Sequence, residues 1–314
     1  MTAKILVLGG AHIDRRGRIE GETAAGASNP GSWFEEPGGG GFNAARNLAR
    51  LGFAVRLISP RGGDATGEAV AAAALAAGVE DCPFVFLDRK TPSYTAILER
   101  DGNLVIALAD MDLYRLFTPR RLQVRAVREA IEDADLVLCD GNLPEETLTA
   151  LARLVAGLGK PLAAIAISPA KVVRLKNALP DIDYLFMNEA EAAALTGVRP
   201  DNSGEWPALL RRLGLKGGAI TRGGREIVAF SGDQAASLVP PAVDTIADVT
   251  GAGDSFASGM LSAVLRGLPL TQAMRHGAAA AAITLQSPFA TADDLSEDRL
   301  ESKLTEVPDA RILP

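Results

Sequence analysis

The chain has 314 residues, of which 47% are hydrophobic and 23% are charged, so it can bury the core of one large α/β domain or two smaller ones. Its net charge is -7 and its sequence pI is about 5.1, which indicates no basic surface for nucleic acid or anionic lipid. Every apolar stretch is interrupted before it reaches membrane-spanning length, and the first strand begins almost at once, so we expect a cytoplasmic protein.

Short apolar runs alternate with Ala-, Leu- and Arg-rich segments of helical spacing along most of the chain. The predicted strands are 5–8, 55–58, 136–139, 162–167, 184–187 and 227–230. The predicted helices are 42–51, 67–77, 145–158, 206–213, 255–265 and 270–285. Buried strands that alternate with amphipathic helices predict an α/β fold, namely a doubly wound, mostly parallel sheet with helices on both faces. The alanine run at 278–282 predicts close packing of the last of these helices.

Two polar or hairpin-like segments interrupt the alternation, near 15–36 and 90–110. The second contains Asp101-Gly102-Asn103 between two β-prone runs, which is a hairpin signal. Together the two segments predict a small β-sheet lid inserted into a single domain spanning residues 1–314. Lids of this kind exclude water from active sites.

The segment Asp-Val-Thr-Gly-Ala-Gly-Asp-Ser-Phe at 248–256 opens a predicted helix. Small residues at Gly251, Ala252 and Gly253 let successive backbone N–H groups point at one anion, and the helix dipole adds positive charge there. Such a nest suits a γ-phosphoryl group in its transition state, and Asp254 beside it could accept a hydroxyl proton. The alternative is an ordinary helix start capped by Thr250.

A glycine-rich segment at 37–52 precedes another predicted helix. It contains Gly39-x-Gly41-x-x-Ala44, the spacing of a dinucleotide-binding fingerprint. That fingerprint should follow directly on a buried strand, whereas Trp-Phe-Glu-Glu-Pro precedes it here. An NAD-dependent enzyme is therefore an alternative of lower rank.

The two segments together resemble a known family. Gly-Gly-x-Gly-x-Asn with its following helix, and the segment 248–261, resemble the N-terminal and C-terminal signatures of the ribokinase-like carbohydrate and nucleoside kinases of the phosphofructokinase-B type (PfkB). The signatures occur in the family's order, and the similarity covers essentially the whole chain. The resemblance implies the ribokinase-like fold, ATP and Mg²⁺ as cofactors, a sugar or nucleoside as substrate, and homodimers joined through their lids.

The resemblance also implies roles for the residues that match the two signatures. Asp254 would be the catalytic base, beside an anion hole formed by residues 251–253. Asp14 and Asn43 would hold substrate hydroxyl groups, while Gly39 and Gly40 would let the substrate approach closely.

Further elements match the family's nucleotide site. Asn188-x-x-Glu191 matches an element that organises Mg²⁺ and phosphate through water, although a helix cap with an acidic first turn explains the same letters. The nucleotide-contacting residues implied by the resemblance are Asn188, Thr221, Gly223, Gly224 and His276. His276, which falls near the expected adenine position, is alternatively a packing residue. Asp248 and Thr250 resemble the family's loop for a monovalent cation such as K⁺.

Three short segments resemble the pseudouridine kinases of this family more than its ribokinases. They are Ser-Asn-Pro-Gly at 28–31, Thr-Pro-Ser-Tyr at 91–94 and Ala-Asp-Met-Asp at 109–112. Ser28, Asn29 and Ser93 would therefore contact a base or sugar edge from the lid. Gly40 replaces the lysine of ribokinases, and Asn142 replaces their ribose-binding glutamate, so a different pattern of hydroxyl groups is expected.

The expected reaction is transfer of the γ-phosphoryl group from Mg·ATP to a ribose-like primary hydroxyl, the 5′-hydroxyl if the substrate is pseudouridine. Ribose, fructose and adenosine-like nucleosides remain alternative acceptors. A non-catalytic sensor of sugars or nucleosides is an alternative of another class, which the intact segment 251–254 disfavours. One departure from the family pattern stands out, because Ile165-Ala166 occupies the place of a polar Asp-Pro pair.

Overall fold

The computed structural model describes residues 2–313. The strands, numbered along the chain, are β1 (Lys4–Leu8), β2 (His12–Ile19), β3 (Gly31–Gly38), β4 (Ala54–Ile58), β5 (Pro60–Gly62), β6 (Glu80–Asp81), β7 (Phe84–Phe86), β8 (Ser93–Leu98), β9 (Leu104–Asp110), β10 (Leu136–Asp140), β11 (Leu162–Ile165), β12 (Tyr184–Asn188), β13 (Gly217–Arg222), β14 (Arg225–Ser231), β15 (Gln234–Leu238) and β16 (Arg311–Ile312). The α-helices are α1 (Gly40–Arg50), α2 (Ala65–Ala76), α3 (Arg125–Asp133), α4 (Glu145–Gly157), α5 (Pro169–Val172), α6 (Glu189–Thr196), α7 (Trp206–Arg212), α8 (Ala252–Leu265), α9 (Leu270–Leu285) and α10 (Glu297–Leu304).

Ten strands form a central sheet in the order β16-β15-β14-β13-β12-β11-β10-β1-β4-β6. The strands from β13 to β6 in that order pair in parallel. The other three, β14, β15 and β16, pair antiparallel at one side. The predicted doubly wound, mostly parallel sheet is therefore confirmed.

The sheet separates two hydrophobic cores. Side chains alternate across a strand, so Ile5 and Val7 of β1 enter one core while Leu6 and Leu8 enter the other. Helices α1, α2, α8, α9 and α10 supply the first core, and helices α3 to α7 supply the second. Both faces are covered, which explains why the parallel strands are continuously apolar rather than alternating.

Helices α8 and α9 pack closely, as the alanine run predicts. A Cβ at Gly259 of α8 would come within 2.5 Å of the His276 carbonyl oxygen and 2.8 Å of the Ala280 Cβ. A Cβ at Gly277 of α9 would come within 2.9 Å of the Phe256 ring. These two glycines permit the approach that fixes α8, and hence its N-terminus, against the sheet.

A second sheet has four strands in the order β3-β2-β8-β9 and forms the predicted small sheet. Its hairpin turn is the expected one, since Gly102 has a φ of 94° and the Asp101 carboxylate accepts the Asn103 N–H at 3.1 Å. All seven residues of β9 are exposed. The predicted role of this sheet as a lid and dimer contact stays a prediction.

Some element boundaries differ from prediction. The strand predicted at 162–167 ends at Ile165, because Ile167 adopts a left-handed backbone with a φ of 73°. Strand β13 has no counterpart among the predicted strands; it begins with two glycines, and its Gly218 lies so close to Leu185 that a Cβ would overlap that backbone. Among residues 2–313, the helices are all too short or too polar to cross a bilayer.

Candidate active site

A cleft of about 840 Å³ lies where β11, β12 and β13 end and where α6 and α8 begin. Ligands of open parallel sheets bind at this carboxyl edge, because the loops there converge with helix N-termini. Nine of the predicted site residues line the cleft: Asn188, Glu191, Thr221, Gly223, Gly224, Gly251, Ala252, Gly253 and Asp254. The structure therefore brings the four predicted catalytic residues, Glu191 and four of the five predicted nucleotide residues to one place.

The N-terminus of α8 forms one wall of the cleft. Gly251 has a φ of 75°, and a Cβ there would overlap the Ala290 carbonyl oxygen, so only glycine fits. Residues 252–254 make the first helical turn, whose N–H groups lack intrahelical partners and can face an anion. Thr250 is not the helix cap considered as an alternative; Gly251 takes that position, and Thr250 donates to Asp248 instead.

Asp254 receives a hydrogen bond from Asn43 Nδ2 to its Oδ2 at 2.8 Å. Its desolvated surroundings raise the pKa of Asp254 to about 7, against the opposing effect of the Asn43 amide. The negative charges of Asp140, Glu191 and Asp14 add to the increase. A carboxylate with this pKa can take a proton from a hydroxyl group and release it again near neutral pH.

Two successive turns of helix α1 fix the position of Asp254 at the start of α8. Asn43 contacts Asp254, and Asn47, four residues later, donates to Ser255 Oγ at 2.8 Å. Ser255 Oγ in turn lies 2.6 Å from Thr284 Oγ1 of α9. The last three side chains are fully buried, so this network specifies how α1, α8 and α9 align.

The glycines at the start of α1 allow close approach, as predicted. Gly39 has a φ of 106°, and a Cβ there would lie 2.6 Å from the Gly10 carbonyl oxygen. A Cβ at Gly40 would overlap the Ile167 side chain and lie 3.3 Å from Asp254 Oδ1. Because α1 follows β3 of the small sheet rather than a strand of the central sheet, its glycines are not those of a dinucleotide-binding βαβ unit.

The floor of the cleft beside Asp254 is apolar. Ile165 and Ile167 line it, and Ile165 begins the Ile165-Ala166 segment that stands where the family pattern has a polar pair. Ile167 is the only non-glycine residue with a positive φ among residues 2–313, and a β-branched residue is strained in that conformation. Backbone strain at a cleft residue that covers a carboxylate marks this position as functional.

Asp140 is a site residue that the sequence-based prediction missed. It is fully buried at the end of β10 and accepts the backbone N–H groups of Gly10, Gly41 and Asn142 at 2.9, 2.8 and 2.9 Å. These bonds join the end of β1, the start of α1 and the loop after β10. The position of Asp140 could have been recognised from the sequence, since a carboxylate that ends a buried strand of a parallel sheet lies at the ligand-binding edge.

Asn142, predicted to bind substrate, already has protein partners. Its Nδ2 donates to Asp140 at 2.9 Å, and its Oδ1 accepts from Lys171 Nζ at 2.6 Å. Burial lowers the pKa of Lys171, while Asp140 acts to raise it. The partly exposed group at this position is therefore the Lys171 ammonium, which the sequence-based prediction did not include.

Asn188 and Glu191 form a capping box at the start of α6. Asn188 Oδ1 accepts the Glu191 N–H at 2.9 Å, and Glu191 Oε2 accepts the Asn188 N–H at 2.7 Å. Burial raises the pKa of Glu191. The helix-cap interpretation is thus correct, yet both residues also line the cleft.

The carboxylates of the cleft fit Mg²⁺ carried by phosphates. Groups of three or more His, Cys, Asp or Glu side chains that could hold a metal are absent from residues 2–313. Mg²⁺ usually keeps several waters and binds one or two carboxylates together with substrate phosphates, rather than an all-protein cage. Glu191 supplies one such carboxylate.

Asp248 and Thr250, predicted to hold a monovalent cation, are joined to the small sheet. Asp248 Oδ1 accepts the Thr250 N–H at 2.8 Å and the Thr250 hydroxyl at 2.7 Å, while its Oδ2 pairs with Arg16 of β2. Arg16 also pairs with Glu36 of β3. The guanidinium therefore already balances the Asp248 charge, and K⁺ at this loop stays a prediction.

Three predicted residues lie away from the cleft. His276 is buried in α9, with Nδ1 2.9 Å from the Gln272 carbonyl oxygen, so the packing alternative is the correct one. Ser28 is exposed, and Asn29 closes its own loop by donating to the Ala24 carbonyl oxygen at 3.0 Å. That loop lies beyond Ile19, about 16 Å along β2 from Asp14. Ser28 and Asn29 therefore belong to a loop at the far end of β2 from Asp14, and their contact with substrate stays a prediction.

Asp14 and Ser93 lie together at the other end of the small sheet. Ser93 begins β8 and pairs in parallel register with Ile13, the neighbour of Asp14. Asp14 is partly exposed and near enough to Asp254 to affect its pKa. Asn43 contacts Asp254 directly and Asp14 lies near enough to affect the pKa of Asp254, so the three predicted residues lie in one region.

Comparison with known proteins gives one family. The profile of the pfkB family of carbohydrate kinases matches residues 2–297. A pseudouridine kinase of Escherichia coli (strain K12) is 27% identical over 296 residues, which cover 93% of this chain and 93% of that protein. A ribokinase of Bacillus subtilis (strain 168) is 28% identical over 291 residues, which cover 90% and 93%.

Solved structures agree with these sequence relatives. A carbohydrate kinase from Agrobacterium tumefaciens is 68% identical, with a TM-score of 0.90 over 99% of this chain and 100% of that one. Arabidopsis thaliana ribokinase, solved with ribose and ATP, has a TM-score of 0.84 over 97% and 99% at 22% identity, which is evidence for the fold alone.

Proposed function

This chain belongs to the pfkB family of carbohydrate kinases, and we propose that its acceptor is the 5′-hydroxyl group of pseudouridine. It is a phosphotransferase with an alcohol group as acceptor, and its substrates are sugars or nucleosides. The observation that carries the proposed chemistry is the position of Asp254, hydrogen-bonded to Asn43 within the first turn of α8.

Two lines of support favour pseudouridine over other acceptors. The E. coli relative that acts on pseudouridine matches over nearly the whole of both chains. The three segments at 28–31, 91–94 and 109–112 resemble that group, and Gly40 leaves no lysine at the start of α1. Asn142, held by Asp140 and Lys171, gives this side of the site an amide and an ammonium rather than a glutamate.

The proposed mechanism assigns each wall of the cleft one task. The N–H groups of the first turn of α8, Gly253 foremost, stabilise the charge on the equatorial oxygens of the transferring γ-phosphoryl group of ATP. Asp254 accepts the proton of the attacking hydroxyl group and orients its oxygen in line. Glu191 would hold Mg²⁺ through water, and the ion bound with ATP would supply positive charge beside the phosphates. Asp14 binds the acceptor's hydroxyl groups, and the small sheet covers the site against water.

A panel of acceptors tests the proposal directly. Pseudouridine, uridine, other nucleosides, ribose and fructose are compared by ADP release with Mg·ATP as donor. The proposal expects the highest kcat/KM for pseudouridine, since discrimination rests on a few polar contacts. Saturable turnover of ribose or fructose alone would replace pseudouridine as the acceptor and retain the kinase. A sensor that has lost catalysis would release no ADP with any acceptor.

We also propose that the small sheet joins two copies of the chain. Its outer strand β9 exposes Leu104, Ile106 and Leu108, and an apolar edge strand is stabilised by pairing with another chain. Sedimentation of the wild type should give a dimer. Replacement of Ile106 and Leu108 by lysine should give a monomer, and a monomeric wild type would refute the dimer alone.

A further inference from the structure

His12 lies between Asp14, which binds the acceptor in the proposed mechanism, and Tyr114, which has no role in it. It is the first residue of β2 and is buried. Its Nδ1 lies 2.8 Å from the Tyr114 hydroxyl oxygen, and its Nε2 lies 3.2 Å from Asp14 Oδ1. Both ring nitrogens are therefore engaged by protein groups, so His12 is not itself available to bind substrate.

Glycines enclose this chain of hydrogen bonds. A Cβ at Gly39 would lie 3.0 Å from His12 Nδ1, and a Cβ at Gly38 would overlap Asp14 Oδ2. A Cβ at Gly10 would lie 3.0 Å from the Tyr114 hydroxyl oxygen. The glycine-rich start of α1 thus leaves room for these side chains as well as for substrate.

The protonation of the chain follows from its burial. Tyr114 is fully buried, and burial followed by the Asp140 charge raises its pKa well above the ordinary value, so it remains a neutral phenol. The neutral phenol can donate its proton to His12 Nδ1, which lies 2.8 Å from its oxygen. With Nδ1 as the acceptor, the imidazole carries its proton on Nε2, which faces Asp14 Oδ1 at 3.2 Å.

We propose that Tyr114 and His12 are positioning residues that orient Asp14 for acceptor binding. The proposal rests on the proposed function, because it concerns the acceptor that Asp14 binds. A free aspartate rotates about two bonds, whereas a carboxylate fixed at Oδ1 presents Oδ2 to the acceptor in one orientation. Fixing the carboxylate in advance removes an ordering cost from each binding event.

The kinetic test is a double-mutant cycle between Tyr114 and Asp14, using the acceptor with the highest kcat/KM in the panel. Tyr114→Phe should raise KM for the acceptor about fivefold to tenfold, the value of one hydrogen bond, with kcat and KM for ATP unchanged. Asp14→Asn should raise the same KM, and adding Tyr114→Phe to Asp14→Asn should change it less than twofold. Tyr184→Phe, at the opposite end of the central sheet, is the control and should match wild type.

If the acceptor KM of the double variant rose by the product of the two single effects, the proposal would be overturned, because Tyr114 would then act independently of Asp14. An unchanged acceptor KM in Tyr114→Phe or in Asp14→Asn would also overturn it. Neither outcome affects the kinase assignment, which depends on turnover by the wild type.

A second measurement does not depend on turnover. The chain has two histidines, so the imidazole ¹⁵N resonances can be assigned with the single variant His276→Gln. His12 should be neutral and protonated on Nε2, and Tyr114→Phe should shift its Nδ1 resonance. A His12 protonated on Nδ1, or insensitive to Tyr114→Phe, would overturn the proposal even if the proposed acceptor proved wrong.

Discussion

Asn43 and Asp254 lie 211 residues apart in the chain and share a hydrogen bond of 2.8 Å. The bond joins the first turn of α1 to the first turn of α8. It therefore connects the glycine-rich segment that admits the acceptor to the nest that faces the phosphate, and it sets the protonation of the carboxylate between them.

Removal of the Asn43 amide should shift the acidic limb of the pH profile of kcat to higher pH. The amide donates to the ionised form of Asp254 and lowers its pKa, which partly offsets the burial that raises the pKa to about 7. In Asn43→Ala the carboxylate should need a higher pH to ionise, so the acidic limb of kcat should shift to higher pH. Asn47→Ala, one turn later and bonded to Ser255, should leave the limb in place. A limb unchanged in Asn43→Ala would show that another group controls it.

Replacement of Ile167 should move the same limb the other way. The side chain forms part of the apolar floor beside Asp254, and desolvation is the main cause of the raised pKa. Ile167→Gly should admit water, lower the pKa of Asp254 and shift the acidic limb to lower pH. Glycine also relieves the positive φ, worth about 1 kcal/mol of unfolding free energy, so part of the lost packing is recovered. A limb that moves to higher pH would contradict this account of the floor.

A side chain at Gly251 should displace the phosphate nest. Gly251→Ala places its Cβ against the Ala290 carbonyl oxygen, so the loop must move and kcat should fall at least 100-fold. Gly267→Ala is a matched control, because Gly267 has the same φ of 75° and its Cβ meets no described atom within 4 Å. It should cost about 1 kcal/mol in stability and leave kcat unchanged. Equal activities of the two variants would contradict the role given to Gly251.

Loss of Arg16 should leave two carboxylates without a partner. Arg16 pairs with Asp248 beside the nest and with Glu36 of β3, and all three side chains are largely buried. Arg16→Met should lower the free energy of unfolding by about 2 kcal/mol, because partly buried charges lose their counter-ion. Arg15→Met breaks the more exposed pair with Glu35 and should cost less than about 1 kcal/mol. Chemical denaturation of both variants measures the difference; similar values would refute it.

The site features that the sequence indicates most directly are those whose chemistry is local. Gly251 to Asp254 combine small residues, a helix start and a carboxylate within four positions; the helix start is confirmed, and the nest and the base stay predictions. The spacing of Asn188 and Glu191 likewise predicts a helix start, which the structure confirms. Alternation of buried strands with helices predicts the mostly parallel pairing of the central sheet, whereas its strand order, and the strands β13 and β6, were not predicted.

The residues that were missed act through long-range contacts. Asp140 binds backbone groups 99 and 130 residues away, and Tyr114 reaches His12 across 102 residues. The residues that neighbour Asp140 and Tyr114 in the sequence do not indicate these distant partners. Ser28 and Asn29 are a related case, since the resemblance placed them in the lid without indicating that their loop lies at the far end of β2 from Asp14.

The central claim is that Asp254 deprotonates the acceptor next to backbone N–H groups that bind the γ-phosphoryl group during its transfer. Replacement of Asp254 by Asn keeps the shape of the side chain and removes the base. Single-turnover transfer and ATP binding, measured on the same preparation, test the claim most directly. The account predicts that kcat falls by about 10²- to 10⁴-fold while the Kd for ATP changes less than about threefold. Turnover at the wild-type rate in Asp254→Asn would contradict it.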